Sequence, residues 1–318
     1  MKFSEWCKKA SYIAKKNHIL NMLQNSFFVS IGANLYRKLQ GEEEDGQHLI
    51  VIVSSGSGDI YYPLAYLRSF VKKNKIKKYC VIYKGRNNDK LMHLFGITKF
   101  KRIEKFDLYC LRYAYAYYGS KMRVTLSRPT GISSTLRFER NGYSPLYLSE
   151  TYKVGGYDLE IDTEIDMPVF NEYSEKFDFL DSNAILLSPY ANSVVLLDVT
   201  WWEELTRRLT DYGYKVYTNT IVDSQVIKGS DKLFFEYSDA KLVLEKMKCF
   251  IALRSGLCDI VSSINAKKII LCTEGVDGYN HFNHYSLKKA GLDKNAIEFS
   301  ISEGNEYEIM EKILSIVS

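Results

Sequence analysis

The sequence predicts an α/β protein of two Rossmann-like domains facing each other across a cleft, residues 1–170 and 171–318. Three observations lead there. A strand, helix, strand alternation occurs around 48–84, and a longer one occurs around 184–274. Between them, 158–183 is acidic and polar, as a connection between domains would be. At 318 residues, finally, the chain is longer than one core usually serves, so two domains of about 150 residues are expected.

Phe3, Trp6, Cys7, Ala10, Ile13 and Ala14 stand at helical spacing, and a second such run starts at Ile19. One or two helices are therefore expected before the charged turn "GEEEDG" at 41–46. "HLIVIV" (48–53) is a short buried strand, "PLAYLRSFVKKN" (63–74) a helix, and "KKYCVIYK" (77–84) the next strand. From 99 to 170 only a weaker alternation runs, through "LYCLRYAYAYYGSKMRV". A hinge is expected near 166–182.

The second series is cleaner. "AILLSPY" (184–190) is a strand, and "DVTWWEELTRRLTDYG" (198–213) a helix with Thr200 and nearby acids in its first turn and Gly213 as its stop. "YKVYTNT" (214–220) is a strand, "SDAKLVLEKMK" (238–248) a helix, and "CFIALRS" (249–255) a strand. "GLCDIVSSINA" (256–266) is a helix, "KKIILCTE" (267–274) a strand, and 303–317 a closing helix.

Apolar residues make up 46% and charged residues 25%, which places the chain among ordinary globular proteins. Its 25 tyrosines suit sugar or polar-ligand surfaces, with core packing and codon usage as the plain account. A net charge of +5 is too mild, and the basic runs "KKNKIKK" (72–78) and "KFKRIEK" (99–105) too broken, for a nucleic-acid face. Those runs read as solvated surface, with attraction to anionic substrates or a membrane surface as the other reading. The six scattered cysteines form no CxxC pair and no metal-ligand spacing with His, so reduced thiols, no metal and a cytoplasmic location are expected. No apolar stretch reaches the length of a membrane span, and the N-terminus has no apolar signal core.

Three strand exits could carry chemistry. In "VIVSSGSGDIYYPLAYLRSF" (51–70) a buried strand empties into Gly56, Ser57 and Gly58, and Asp59 opens the following pattern. As a dinucleotide fingerprint this fails, because the third glycine and the closing acid are missing. Asp59 is either a helix N-cap or a general base on a turn that lets substrate approach closely. In "CFIALRSGLCDIVSS" (249–263) a strand meets Arg254, Ser255 and Gly256. A guanidinium and a helix start make an anion site for a diphosphate, unless Arg254 is paired with Asp259. In "LLSPYANSVVLL" (186–197), Ser188, Asn192 and Ser193 could meet phosphate or ribose, or simply form the turn. Asn219, at the end of the next strand, completes this candidate donor set.

Other features weigh less. "DLEIDTEID" alternates acids as a half-exposed strand or linker would, His281 and His284 lack companions for a metal site, and one of Trp201 and Trp202 packs inward. The P-loop, the Gly-x-Ser-x-Gly elbow and the His-Glu-x-x-His helix are all missing, which argues against the common NTPase, hydrolase and metalloprotease answers.

Taken in order, these segments resemble heptosyltransferases. "SGSGDIYYPLAYLRSF" is similar to their first loop, with a Gly-Asp pair opening a helix. "ILLSPYANS" together with "WWEELTRRLTDYGYKVYTN" resembles the first strand, helix and strand of their C-terminal domain. "CFIALRSGLCDIVSSINAKKIILC" resembles their Asp-Ser-Gly-x-x-His segment, which helps hold the donor nucleotide. The resemblance implies the two-domain GT-B class, with acceptor on the N-terminal half and nucleotide-sugar on the C-terminal half. It further implies a metal-independent, inverting glycosyltransferase acting on a bacterial surface glycan such as capsule or O-antigen. Asp59 then takes the place of the general base, Gly58 matches the glycine before it, and Ser255 and Gly256 match the donor-loop pair. Arg254 stands where the family has Asp and Asp259 where it has His, and the lysine before the family's Trp-Pro helix is missing. These departures point away from an ADP-heptose donor and toward the transferases of capsule and O-antigen clusters, which "RSGLCD" resembles. The implied partners are a nucleotide-sugar donor and a glycan or lipid-linked glycan acceptor, with no further cofactor and peripheral association with the inner membrane face. The alternatives are a nucleotide-sugar epimerase of the same fold and a non-catalytic glycan- or nucleotide-binding subunit.

Overall fold

Both β-sheets of the computed structural model are parallel throughout. The structure describes residues 18–41, 46–85, 88–127, 150–160, 162–275, 282 and 285–318. The chain forms two compact units, one of Met1–Ser55, Val71–Asn88 and Ile97–Arg128, the other of Gly56–Phe70, Asp89–Gly96 and Pro129–Ser318.

In the first unit, β1 (His48–Ile52), β2 (Tyr79–Tyr83), β3 (Phe100–Arg102) and β4 (Val124–Ser127) form a four-stranded sheet in the order β3-β2-β1-β4. Strands covered on both faces read as continuous apolar runs, and "HLIVI" and "YCVIY" are such runs. Leu49, Val51, Cys80, Ile82 and Val124 enter one buried cluster with Leu108, Leu111 and Ala114. The last three lie on α5 (Lys105–Tyr118), against which α1 (His18–Gln40) packs. Gly32 permits that crossing, because a Cβ there would stand 2.0 Å from the Cys110 carbonyl oxygen. Helix α5 corrects the alternation expected beyond residue 99. Its buried positions, Leu108, Cys110, Leu111 and Ala114, fall on one helical face, whereas the intervening tyrosines imitate a strand's period of two. The helical run expected at Phe3–Ala14, and Cys7 with it, lies outside the described residues.

The second unit is built on six strands, β5 (Ala184–Ser188), β6 (Lys215–Asn219), β7 (Asp231–Leu233), β8 (Cys249–Leu253), β9 (Lys268–Cys272) and β10 (Ile297–Ser300). Their order is β10-β9-β8-β5-β6-β7. Ile185, Leu187, Ile251, Leu253, Ile269 and Leu271 supply the sheet's share of the core. Trp202 and Leu205 of α6 (Val199–Asp211) and Ile313 and Leu314 of α9 (Glu306–Val317) cover it. Asp198 caps α6, its carboxylate accepting from the Thr200 amide at 2.8 Å, and Gly213 at φ +88 ends the following turn. Trp202 is the inward tryptophan, while the Trp201 ring N–H donates to the Glu306 carbonyl.

Three further helices differ from expectation. The helix after the glycine turn starts at Ser57 instead of Pro63, as α2 (Ser57–Ala65), and α3 (Leu67–Lys73) continues after a break at Tyr66. Ile60, Tyr61, Tyr62 and Leu64 are all buried, and that burial outweighs the single helical bond Pro63 cannot donate. Helices α7 (Ala240–Leu244) and α8 (Gly256–Ile260) are shorter than their apolar patterns, because tight turns take over at Glu245 and Val261. Helix α4 (Asp89–Leu94) links β2 to β3. From 158 to 183 the described chain holds only a short turn of 3-10 helix, Glu175–Phe177.

Cys80, Cys110, Cys249, Cys258 and Cys272 are buried free thiols, and burial pushes the thiols of Cys249 and Cys272 up to about 12. Among the described residues no helix is long and apolar enough to cross a membrane.

Candidate functional site

A doubly wound parallel sheet opens a crevice where the chain changes direction across the sheet, outside the carboxyl ends of two neighbouring strands. In the six-stranded sheet that point lies between β5 and β8, since β6 and β7 add on one side and β9 and β10 on the other. Ser188 ends β5 and pairs in register with Ala252 of β8, two residues before Arg254. Asn219, ending β6, reaches back with its side-chain amide to the Ser188 hydroxyl at 3.4 Å. Ser188, Asn219, Arg254, Ser255 and Gly256 therefore share one edge of the sheet. Asn192 and Ser193 stand exposed on the loop leaving β5, just before Val194 bridges to Gly275.

In the four-stranded sheet the same change of direction falls between β1 and β4, and the exit of β1 is the glycine turn. Gly56, with φ −72 and ψ 145, occupies the cap position of α2. Asp59 is therefore not the cap. It stands half-buried in the first turn of α2, where a carboxylate is favoured by the helix dipole.

Within the second unit, α2 packs against α8, and the two glycine turns touch backbone to backbone. A Cβ on Gly256 would lie 2.3 Å from the Ser57 hydroxyl oxygen and 2.4 Å from the Gly58 nitrogen. A Cβ on Gly58 would lie 2.8 Å from Asp259 Oδ2 and 3.2 Å from Gly256 Cα. Glycine is required at both places by approach, not by backbone angle.

Under this contact lies a buried polar network. Arg254 and Asp259, 4% and 2% exposed, pair through Nη2 to Oδ1 at 2.5 Å and Nη1 to Oδ2 at 3.1 Å. Arg254 Nη1 also donates to the Ser255 carbonyl at 2.6 Å, and Nε to the Tyr285 carbonyl at 2.7 Å. Tyr62 of α2 donates its hydroxyl to Asp259 Oδ1 at 2.8 Å. Burial opposes charge on Arg254, yet the Asp259 carboxylate beside it holds the guanidinium above its ordinary value. Burial, reinforced by the same carboxylate, holds the Tyr62 phenol well above its ordinary value, so it stays a donor. The pairing left open from the sequence is thus present: four hydrogen bonds of the guanidinium go to protein oxygens.

Each unit also holds a cavity of its own. In the first unit, Ser55, Lys84, Gly85, Arg102, Glu104 and Lys105 line about 360 Å³ at the carboxyl ends of β1, β2 and β3. The Asn88 side-chain amide holds its rim together, donating to the Ser55 and Lys84 carbonyls at 3.2 and 3.0 Å. Gly85, at φ +99, supplies a left-handed step there that other residues rarely adopt. In the second unit a larger cavity of about 890 Å³ includes Asp198, Glu204, Glu274, Glu303 and Glu306 in its wall. Among the described residues no Lys or Arg lines it, so a diphosphate is better served at the switch point.

Sequence reasoning missed Tyr62, Asn88 and the three cations of the first cavity. Tyr62 carries no local signal, because its partner is 197 residues away. "KFKRIEK" did carry one, a basic run at a strand exit. His281 and His284 lie outside the described residues. Among the described residues no three His, Cys, Asp or Glu side chains converge as a metal site would require.

No protein-family model and no curated protein sequence matches the chain. Solved structures do. The chain is similar to the Escherichia coli ADP-heptose lipopolysaccharide heptosyltransferase II, with 12% identity, a TM-score of 0.53, and 85% of this chain and 98% of that one covered. A family 9 glycosyl transferase from Veillonella parvula gives 11% identity, a TM-score of 0.51, and coverage of 85% and 97%. A Listeria monocytogenes protein described as a UDP-N-acetylglucosamine 2-epimerase gives 10% identity, a TM-score of 0.52, and coverage of 86% and 88%. At such identities the fold alone is shared. It is the GT-B fold of the heptosyltransferases, as the three sequence segments implied.

Proposed function

We propose that the protein is a glycosyltransferase that moves a sugar from a nucleotide-sugar to a glycan hydroxyl, with inversion and without a metal ion. One observation carries this reading: the turn bearing Asp59 is packed backbone to backbone on the Ser255–Gly256 turn at the switch point of the six-stranded sheet. A carboxylate on a glycine turn and a strand exit suited to a nucleotide are thereby held together.

In the proposed reaction Asp59 takes the proton of an acceptor hydroxyl as its oxygen bonds to the anomeric carbon. The bond from that carbon to the diphosphate oxygen breaks, and the nucleoside diphosphate leaves with the electron pair. A positioned base of this kind contributes about 10²–10⁴-fold. Backbone N–H groups of the Ser255–Gly256 turn, with Ser188, Asn192, Ser193 and Asn219, meet the donor. Arg254 acts on it through the turn it braces, since its pairing with Asp259 occupies most of the fork. A bacterial surface glycan or its lipid-linked precursor is the acceptor class. The departures at Arg254 and Asp259 argue for a donor other than ADP-heptose.

The test is a panel of nucleotide-sugars with and without glycan acceptors, following release of nucleoside diphosphate. Acceptor-dependent release with one donor is expected. The similarity to an epimerase favours a second reading, conversion of the sugar while it stays on its nucleotide. A new nucleotide-sugar formed without acceptor would establish that reading and overturn transfer.

A further inference from the structure

We propose that Tyr62 is a positioning residue of this site, its hydroxyl tying the helix that carries Asp59 to the Arg254-braced turn that carries Ser255 and Gly256. The inference rests on the transferase reading above for its kinetic consequence, though not for the link itself.

Tyr62 follows Asp59 by three positions on α2, so the two share a face of one short helix. Its ring is fixed on both sides: it stacks on Tyr152 at 18° and 5.7 Å and meets Tyr61 edge-on at 5.6 Å. The side chain is 1% exposed, so its hydroxyl has one place to go, Asp259 Oδ1. That carboxylate is held in turn by two nitrogens of Arg254, and Arg254 holds the Ser255 carbonyl. Four hydrogen bonds in three links thus lead from the helix of Asp59 to the backbone of the donor turn, all in low dielectric, where such a chain is stiff. A phenylalanine would fill the same space and keep the stacking. What only the hydroxyl adds to the packed turns is a hydrogen-bonded tether between them, and a shift of about 1 Å between reacting groups can cost about 10²-fold in rate.

Tyr62→Phe tests this by amide hydrogen exchange and by kinetics. Exchange should rise together in the segments 57–61 and 255–260, while strand 249–253 stays protected. With the donor found in the panel, kcat should fall about tenfold or more while UDP or ADP affinity stays within about twofold. Unchanged exchange in either segment overturns the link and leaves Tyr62 a packing residue. Raised exchange in both, with kcat unaltered, overturns the positioning role. Should Tyr62→Phe fail to fold, Tyr62→Met takes its place in the exchange test, and unaltered exchange at 255–260 would again overturn the link. If the wild-type protein transfers no sugar at all, the transferase reading and with it the positioning role fall, while the exchange result still decides whether Tyr62 joins the turns.

Discussion

Asp59 and His48 show how differently two ionisable residues are placed. Asp59 stands in the first turn of α2 while Gly56 holds the cap position, and asparagine keeps its size, so Asp59→Asn should leave the melting temperature within a few degrees of the wild type. Transfer should fall by about 10² or more if Asp59 is the base. Turnover above about a tenth of wild type would remove it from that role. His48 begins β1, its ring nitrogen 2.8 Å from the Thr125 hydroxyl. Burial, and then the nearby Arg123 charge, lower its pKa below 6.5. The folded state therefore favours the neutral ring. Its contribution is complete above pH 6.5 and is lost as pH falls through the lower folded value. Thermal melts from pH 7.5 to 5 should show a decline that is shallower in His48→Gln. Equal slopes would assign the acid sensitivity elsewhere. Of these residues, Asp59 was legible in the sequence because a strand exit and two glycines surround it. Arg254 was legible only as one of two alternatives, since nothing in "RSGLCD" says whether its fork faces solvent or Asp259.

Among the elements, buried strands and strand exits were plain, because apolar β-branched runs end at small residues. The edge strands β7 and β10 were not: their residues are half-exposed and polar, as sheet edges often are. Helix α5 was hidden by exposed tyrosines at alternate positions. The contact of α2 with α8 was also beyond reach, although both glycines that permit it were noticed. That contact predicts an asymmetric result. Gly256→Ala forces a methyl against the Ser57 hydroxyl and the Gly58 backbone and should cost about 1–3 kcal/mol in a chemical denaturation series. Ser57→Ala added to it should recover part of the loss, because one of the two close atoms belongs to that hydroxyl. A neutral Gly256→Ala would mean that the turns do not touch in solution.

At the scale of the whole molecule, the proposed donor site stands on backbone amides and hydroxyls at the carboxyl edge of one sheet. Nucleoside diphosphate should therefore raise the melting temperature in the presence of chelator. Saturation at 100 times Kd would add about 2.7 kcal/mol. A shift seen only with a divalent ion would overturn metal independence.

The Tyr62–Asp259 hydrogen bond has a further consequence, for synthesis on the ribosome. Its partners are separated by 197 residues, so α2 emerges long before the element it packs against has been made. In that interval α2, whose Ile60, Tyr61, Tyr62 and Leu64 are buried in the finished protein, lacks the cover of α8, and Tyr62 lacks its Asp259 partner. Contacts this distant in sequence form late and leave apolar surface open to aggregation. A chain ending near residue 248 should accordingly bind hydrophobic dye and precipitate more readily than the full protein, and Tyr61→Ser with Leu64→Ser should relieve it. The nascent protein would then depend on chaperones until its last third is complete.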